Sequence, residues 1–481
     1  MKSKSILFFF VFFLVCHDAT SKSIPDSIVI PKTLKNIPLK KISELDSNKD
    51  EPNLQASPQI SLPPIEFTLI EHSKVIPTLY IDQKDSEYDG ISLIAEVLKS
   101  DMARVIGEKV DDEGKALQSD SGLQITTDKS NLSGKLIIAG TFGENGNDVI
   151  NQLIEERKID VNSLKNRWES YLMQVVSFPL ANIEEALVIV GSDKRGTIYG
   201  LLRISEIMGV SPWVWWADVL PEIKTKVVLP GEQCNLISKE PSIKYRGIFL
   251  NDESPSLSTW TKRRYDGRNE YFYNQVFVLL LRLKANYLWP SMWDDIFSED
   301  GKEERYANAK LADKYGIVMG TSHHEPLYRA GKEWSKYYKN DLKYTSAQAW
   351  NLYNIPGEDG YDADVNKEIE EFWELGVERN KEFDNICTVG MRGEEDSMLP
   401  SADNPPKYAE LLNYIINKQK EILTRQNDKN PTQLVIYKEV ENAWYAGQLF
   451  DKDCMKETYA MFCDDNWSYM RTLPTLEQQK K

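Results

Sequence analysis

The sequence predicts an α/β protein in two parts, an N-terminal α/β domain followed by an incomplete (β/α)8 TIM-type barrel. Three observations point there. Short apolar runs alternate with amphipathic segments along most of the chain, the pattern of strand–helix units in series. The later runs are apolar throughout rather than at every second residue, as expected of parallel strands covered on both faces. The loops that follow those runs carry acids and aromatics, where a barrel collects its chemistry. The 481 residues are enough for two or three domains at roughly 150 residues each.

Residues 1–21 read as a signal peptide. Lys2 and Lys4 precede the apolar run "ILFFFVFFLV", Ile6 to Val15, and the polar stretch "HDATS" follows. The run is short for a bilayer span. The nearest later candidate, "VFVLLLRLKANYLW", is interrupted by Arg282 and Lys284. The expectation is a secreted protein without a membrane segment. Residues 22–64, rich in Lys, Ser, Pro and Asp, read as a linker or pro-segment.

Residues 65–237 read as the N-terminal α/β domain. "KLIIAGTFG" is a strand and turn, and "DVINQLIEERK" an amphipathic helix. "ALVIVGSDKRGTIYGLLRISEIMG" is a strand, a Gly/Asp turn and a helix closed by glycine. Residues 238–481 read as the partial barrel. Its strands are "YRGIFL", "ANYLW", "YGIVMG", "ICTVG", "QLVIYK" and "YAMFC". Between them lie helices such as "YFYNQVFVLLLRLK", "YANAKLADKY", "VNKEIEEFWELGVERNKEF" and "YAELLNYIINKQKEILTRQ". A doubly wound sheet is the alternative, but no GxGxxG follows the first strand, which counts against a dinucleotide-binding version.

A net charge of −16 argues against a nucleic-acid binder, which needs a basic footprint. The 12 Trp and 23 Tyr supply cores and flat faces suited to stacking sugars. With the leader removed, Cys234, Cys387, Cys454 and Cys463 remain, without CxxC or zinc-finger spacing. They read as buried free thiols. Asn131-Leu132-Ser133 is a candidate glycosylation site on a loop.

The strand ends carry the functional signal. In order they offer Asn251, Asp252 and Glu253; Trp289 and Trp293; His323, His324 and Glu325; Arg392 with Glu394, Glu395 and Asp396; Lys438, Glu439, Glu441, Asn442 and Trp444; and Asp464, Asp465, Asn466 and Trp467. Any one acidic loop is ordinarily a solvated loop. Six in a row at strand ends read as a catalytic rim. If the chain continues extended there, His323 and His324 point to opposite faces and one of them reaches the site.

Carboxylates and tryptophans at one rim suit glycoside hydrolysis, where one carboxyl protonates the leaving oxygen and another activates water or attacks carbon. Arg392, Lys438 and a histidine fit a substrate that itself carries a carboxylate. A metallohydrolase is the rival, but there is no HExxH, and the HHE run cannot set three ligands on one face. A non-catalytic polysaccharide-binding module is the other alternative.

The motifs "YRGIFLNDE", "MGTSHHEP", "TVGMRGEED", "KEVENAWYAG" and "FCDDNWSYMR", in this order, resemble the α-glucuronidases of glycoside hydrolase family 115. "VGSDKRGTIYGLLRISEIMGVSPWVWWADV" resembles the end of that family's N-terminal domain. The resemblance covers roughly residues 65 to 474. It implies an inverting, cofactor-free and metal-free enzyme that removes glucuronic acid or its 4-O-methyl ether, α-1,2-linked, from glucuronoxylan. It also implies a homodimer in the full-length family. Carried across residue by residue, it puts catalytic carboxylates at Asp396, Glu439 and Asp464. Glu439 is then the general acid, and Asp396 or Asp464 activates the water with help from Asn466. Asp252, Trp289, His323 and Arg392 fall where the family binds the sugar, Arg392 on the uronate carboxylate. Family members continue well beyond this point, with a segment resembling "YYHFDYVG". The chain therefore reads as C-terminally truncated, with an inactive fragment as the alternative outcome.

Overall fold

The computed structural model describes residues 66–480 apart from 252–253, 294, 332, 335–349, 394–396, 465–468 and 471–472. The expected leader and linker, 1–64, lie outside the described residues, as do Asp252, Asp396 and Asn466.

The N-terminal part holds nine strands: β1 (Phe67–Glu71), β2 (Lys74–Val75), β3 (Thr78–Ile81), β4 (Gln124–Thr126), β5 (Leu136–Thr141), β6 (Tyr171–Ser177), β7 (Glu185–Gly191), β8 (Lys226–Leu229) and β9 (Leu236–Ile237). β2, β1 and β8 make a small antiparallel sheet. The others form a mixed six-stranded sheet of order β4-β3-β5-β7-β6-β9. Its central strands are apolar on both faces because both are covered. Ile137, Ala139, Leu187 and Ile189 face helices Tyr88–Val105 and Lys194–Ile207. Leu136, Ile138, Ala186 and Val188 face helix Asp148–Glu155.

The "GSDKRG" turn has a steric cause. Asp193 caps helix Lys194–Ile207 by accepting from Gly196 N at 2.8 Å. A Cβ on Gly196 would lie 2.2 Å from the Ser170 carbonyl oxygen, so only glycine lets helix and strand approach this closely.

All six expected later strands form: β10 (Gly247–Phe249), β11 (Tyr287–Trp289), β12 (Val318–Met319), β13 (Cys387–Val389), β14 (Thr432–Ile436) and β15 (Thr458–Phe462). They pair in parallel and in chain order as two three-stranded ladders. A single parallel bridge, Met319 to Asn385, joins the ladders. This order rules out a doubly wound arrangement in this half. The array curls: Tyr245, Tyr287, Trp289, Val318, Ile386, Val435 and Met461 form one interior cluster. Tyr245 before β10 meets Tyr459 on β15, ring centroids 6.4 Å apart. The expected barrel is nonetheless not closed. Among the described residues β10 and β15 do not pair, so the structure supports a mixed α/β fold with a curled parallel sheet.

Outside the curl, helix Pro405–Arg425 packs Ile415 and Ile416 among Leu434 and Ile436 of β14. The core of the N-terminal part runs on without a break into Phe272, Phe277 and Leu281 of helix Glu270–Arg282 and into Leu288 and Met319. Below this shared core sits Glu169, 2% exposed. It pairs with Arg195 Nε at 2.7 Å and with Arg246, and accepts from Asn286 Nδ2 at 2.5 Å. Arg246 precedes β10 and Asn286 precedes β11. Arg195 also donates to the Gly316 carbonyl before β12, at 2.8 Å. One N-terminal carboxylate thus ties together the starts of three strands. Among the described residues Cys234, Cys387 and Cys454 are buried free thiols and Cys463 a partly buried one.

Candidate active site

The chain leaves β13 through Gly390, whose φ of +97° suits glycine and whose added Cβ would lie 2.7 Å from Leu434 Cδ1. Gln419, fully buried on helix Pro405–Arg425, holds this turn from behind. It accepts from Gly390 N at 2.7 Å and donates to Gly390 O at 2.9 Å. Tyr408 donates to the Met391 carbonyl at 3.2 Å and Trp350 to the Arg392 carbonyl at 2.8 Å. The turn is therefore fixed on three sides before Arg392 emerges.

Arg392 does not emerge into solvent: it is 2% exposed. Its Nε donates to Glu439 Oε1 at 2.6 Å and its Nη2 to Oε2 at 3.0 Å. Glu439 is 5% exposed. This is a buried bidentate pair, the strongest form of charge-assisted contact and the costliest to break on one side. The two residues that sequence reasoning gave separate roles are thus each other's partners.

Glu439 reaches this position through a sharp reversal. β14 ends at Ile436, and helix Glu439–Tyr445 starts three residues later. Lys438 between them has φ 50° and ψ −123°, strain on the order of 1–3 kcal/mol for a side chain other than glycine. The segment "KEVENAW" read as loop. Its apolar residues Val440, Ala443 and Trp444 are nevertheless at helical spacing and buried. Arg392, Lys438 and Glu439 share an open cleft of about 500 Å³ with Ser397, Met398, Ala402, Asp403, Pro405 and Asn442.

The paired histidines depart from expectation. They lie in a turn, not in extended chain, so their rings do not point apart. The ring centroids are 4.7 Å apart, edge to face. His323 packs on Tyr437 at 5.1 Å, and His324 on Trp293 at 5.3 Å with its Nε2 3.1 Å from Met292 Sδ. Burial, helped by the Arg392 and Lys438 cations, pushes His323 down to about 3. Burial and then His323 push His324 down to about 2. Behind them Glu325 is buried, accepting from Ser322 N at 3.2 Å and Ser322 Oγ at 2.9 Å, and burial pushes it up to about 7.

These shifts oppose one another in stability. An unfolded histidine protonates near 6.5, while the folded ones wait until about 3 or below. The unfolded chain then binds more protons in that window, so stability falls as pH falls through it. Glu325 ionises near 4.5 unfolded and about 7 folded, so its contribution falls as pH rises between those values. His323→Gln should therefore lose part of the acid sensitivity. Glu325→Gln should gain on wild type as pH approaches 7. Urea midpoints across that range check both. Parallel pH curves for all three proteins would refute the assignment.

The other expected residues divide. Trp289 is 5% exposed and packed inside the curl, its Nε1 donating to Tyr287 OH at 2.8 Å and its ring on Phe249 at 5.2 Å. Its face is thus turned to the interior, because it ends a strand whose odd positions point inward. Trp293 is partly exposed and packs beside His324. Asp464 is partly exposed just past β15, close enough to Cys463 to help raise its thiol, and does not line the cleft described. Sequence reasoning left Gln419 and Asp403 unnoticed: one lies in a charged helix stretch, the other beyond the acidic run. No group of His, Cys, Asp and Glu among the described residues has the makings of a metal site.

The family model for glycosyl hydrolase family 115 matches residues 238–481. A solved family 115 4-O-methyl-α-glucuronidase, with specificity for decorated arabinogalactans, is similar at 29% identity and TM-score 0.64. The match covers 86% of this chain and 48% of that one, so the chain spans about half the length of that enzyme. A GH138 enzyme targeting pectin rhamnogalacturonan II aligns at 13% identity and TM-score 0.38 over 79% of this chain and 38% of that one, too distant to carry an argument. No curated protein matches.

Proposed function

The chain belongs to glycosyl hydrolase family 115, and from that premise we propose that it hydrolyses glucuronic acid or 4-O-methyl-glucuronic acid side chains from decorated plant polysaccharide. Glucuronoxylan with α-1,2 linkages is the first substrate to try. A decorated arabinogalactan is the second, prompted by the similar solved enzyme. The observation that carries the reading is the cleft in which a buried carboxylate, Glu439, lies beside two cations, Arg392 and Lys438. Arg392 is already matched by Glu439, and a neutral sugar brings no charge to Lys438 beside them. A uronide supplies the matching anion.

In this reading the reaction inverts the anomeric carbon. Glu439 takes up a solvent proton before the step, gives it to the leaving oxygen as the glycosidic bond breaks, and returns to the carboxylate that Arg392 holds. Asp396 or Asp464 takes a proton from the water that attacks the anomeric carbon, with Asn466 orienting that water. Asp252, His323 and Trp293 complete the sugar site. We take the curled sheet as the greater part of a (β/α)8 barrel and residues 1–21 as a leader for secretion.

Incubation with glucuronoxylan or decorated arabinogalactan should release free uronic acid, and proton NMR of the first product should show the inverted anomer. Binding of the polymer without release would favour a non-catalytic role. Release of the retained anomer would sink the mechanism but keep the activity.

A further inference from the structure

One helix holds the turn that carries Arg392 to the rim. The β13–β14 ladder ends where Val389 faces Leu434. Gly390 comes next, and both its backbone groups bond to a single side chain. Gln419 Oε1 accepts from Gly390 N at 2.7 Å, and Gln419 Nε2 donates to Gly390 O at 2.9 Å. The amide does for Gly390 what a neighbouring strand does for the residues before it, while the chain turns away at φ +97°. Tyr408 of the same helix donates to the next carbonyl, Met391 O, at 3.2 Å. Residues 408 and 419 lie about three turns apart, so both stand on one face of helix Pro405–Arg425. Between them Ile415 and Ile416 pack the helix on β14, the strand that leads to Glu439. The helix is therefore a common reference for Arg392 and Glu439.

We propose that Gln419 is a positioning residue for the reaction: by fixing Gly390 it sets where Arg392 stands, and through Arg392 it aligns the Glu439 carboxyl. This rests on the reading of Glu439 as the acid of a uronide hydrolase. Three observations support it. Gln419 is fully buried on a face otherwise built from isoleucine and leucine, where an amide stabilises nothing unless both its ends are bonded. Its two bonds go to the residue where the chain leaves the sheet, two positions before Arg392. Arg392 then meets Glu439 through two bonds, Nε to Oε1 at 2.6 Å and Nη2 to Oε2 at 3.0 Å, and a bidentate contact transmits orientation as well as distance. An acid must stand within hydrogen-bond reach of the oxygen it protonates.

The test uses the full chain, with uronic acid release from glucuronoxylan and decorated arabinogalactan expressed per folded molecule. Gln419→Leu keeps the helix face apolar but abandons Gly390. It should lower kcat by at least ~10-fold with KM within about twofold, since a misplacement on the order of 1 Å can cost about 10²-fold. Ile416→Ala, which opens a cavity on the same helix without touching the turn, should lose stability and keep kcat. Gln419→Glu gives the readout that a packing role would not move. As the protonated acid its carbonyl accepts from Gly390 N and its O–H donates to Gly390 O, the pattern of the amide. As the carboxylate it opposes the Gly390 carbonyl. Burial raises such a carboxyl above its ordinary ~4.3. The buried titratable side chains of β13, β14 and the helix are Cys387 and Tyr408, both pushed up by burial and so uncharged throughout. The Arg392–Glu439 pair beyond the turn is common to both proteins. The kcat ratio of Gln419→Glu to wild type should therefore be near one in acid and fall as pH rises, and its relative stability should fall in the same direction. A Gln419→Leu protein with the kcat of wild type, a loss that falls on KM instead, or a Gln419→Glu ratio flat with pH would each overturn the role while the uronide reading stands. Wild-type protein that releases uronic acid from neither polymer would overturn that reading, and this role with it.

Discussion

Glu439→Gln should lower uronic acid release by at least ~10²-fold, the low end for loss of a general acid. The amide keeps the shape of the side chain but has no proton to give at the leaving oxygen. The prediction has a confound that follows from the geometry. Both Glu439 oxygens accept from Arg392, and both residues are buried. A neutral amide at this position leaves the guanidinium charge without its partner, which costs about 3–5 kcal/mol in comparable buried pairs. Against a typical stability of about 5–15 kcal/mol, that alone could deplete folded protein. Activity must therefore be expressed per folded molecule, with melting measured alongside. Pairing Arg392→Met with Glu439→Gln removes the stranded charge and should recover much of the stability. It should recover none of the turnover. If the double variant regains activity with stability, Glu439 is a structural partner of Arg392 and not the acid.

The strands were legible because periodicity reports them directly. "QLVIYK" and "YAMFC" are continuous apolar runs, and Leu434 and Val435 on β14 point to opposite, equally covered faces. The helices that cover them were legible by the same logic, as in Ile415, Ile416 and Ile422 of helix Pro405–Arg425. The rim was legible only as a composition. Sequence places Arg392 and Glu439 at the ends of adjacent strands, but not in contact, since a distance across 47 residues of chain is set by the curl of the sheet. The backbone reversal at Lys438 has no sequence signal, because lysine is not a residue that marks positive φ. The histidine pair misled for a related reason. The alternation rule holds only while the chain stays extended, and it turns at His323. Gln419 was invisible because an amide in "NKQKEI" looks solvated until the face it occupies is known.

Glu169→Ala should destabilise the whole fold, by about 3–5 kcal/mol, although the residue lies far from the cleft in sequence and belongs to the N-terminal part. Glu169 is a loop residue just before β6, and its carboxylate is the shared partner of Arg195, Arg246 and Asn286. Removing it leaves two guanidinium groups facing each other without the intervening anion. Both residues lie on the underside of the curled sheet: Arg246 Nε also donates to Lys284 O at 2.8 Å, and Arg195 Nη1 to Gly316 O at 2.8 Å. Loss of the anion therefore pushes on the starts of β10, β11 and β12 together. Because the core above is continuous from Ile189 to Phe277 and Met319, the damage should not be confined to one part. A single cooperative denaturant transition should shift to a lower midpoint with its slope unchanged. Glu169→Gln should recover little, since an amide puts no negative charge between Arg195 and Arg246, although Arg195 keeps its ion pair with Asp384 at 3.5 Å. Glu169→Ala with Arg246→Met should recover more than either expectation from separate sites, because the two residues share one network. A transition that splits in two in the Glu169→Ala variant would show that the N-terminal sheet and the curled sheet unfold separately. A midpoint within experimental error of wild type would show that the buried carboxylate contributes nothing to joining them.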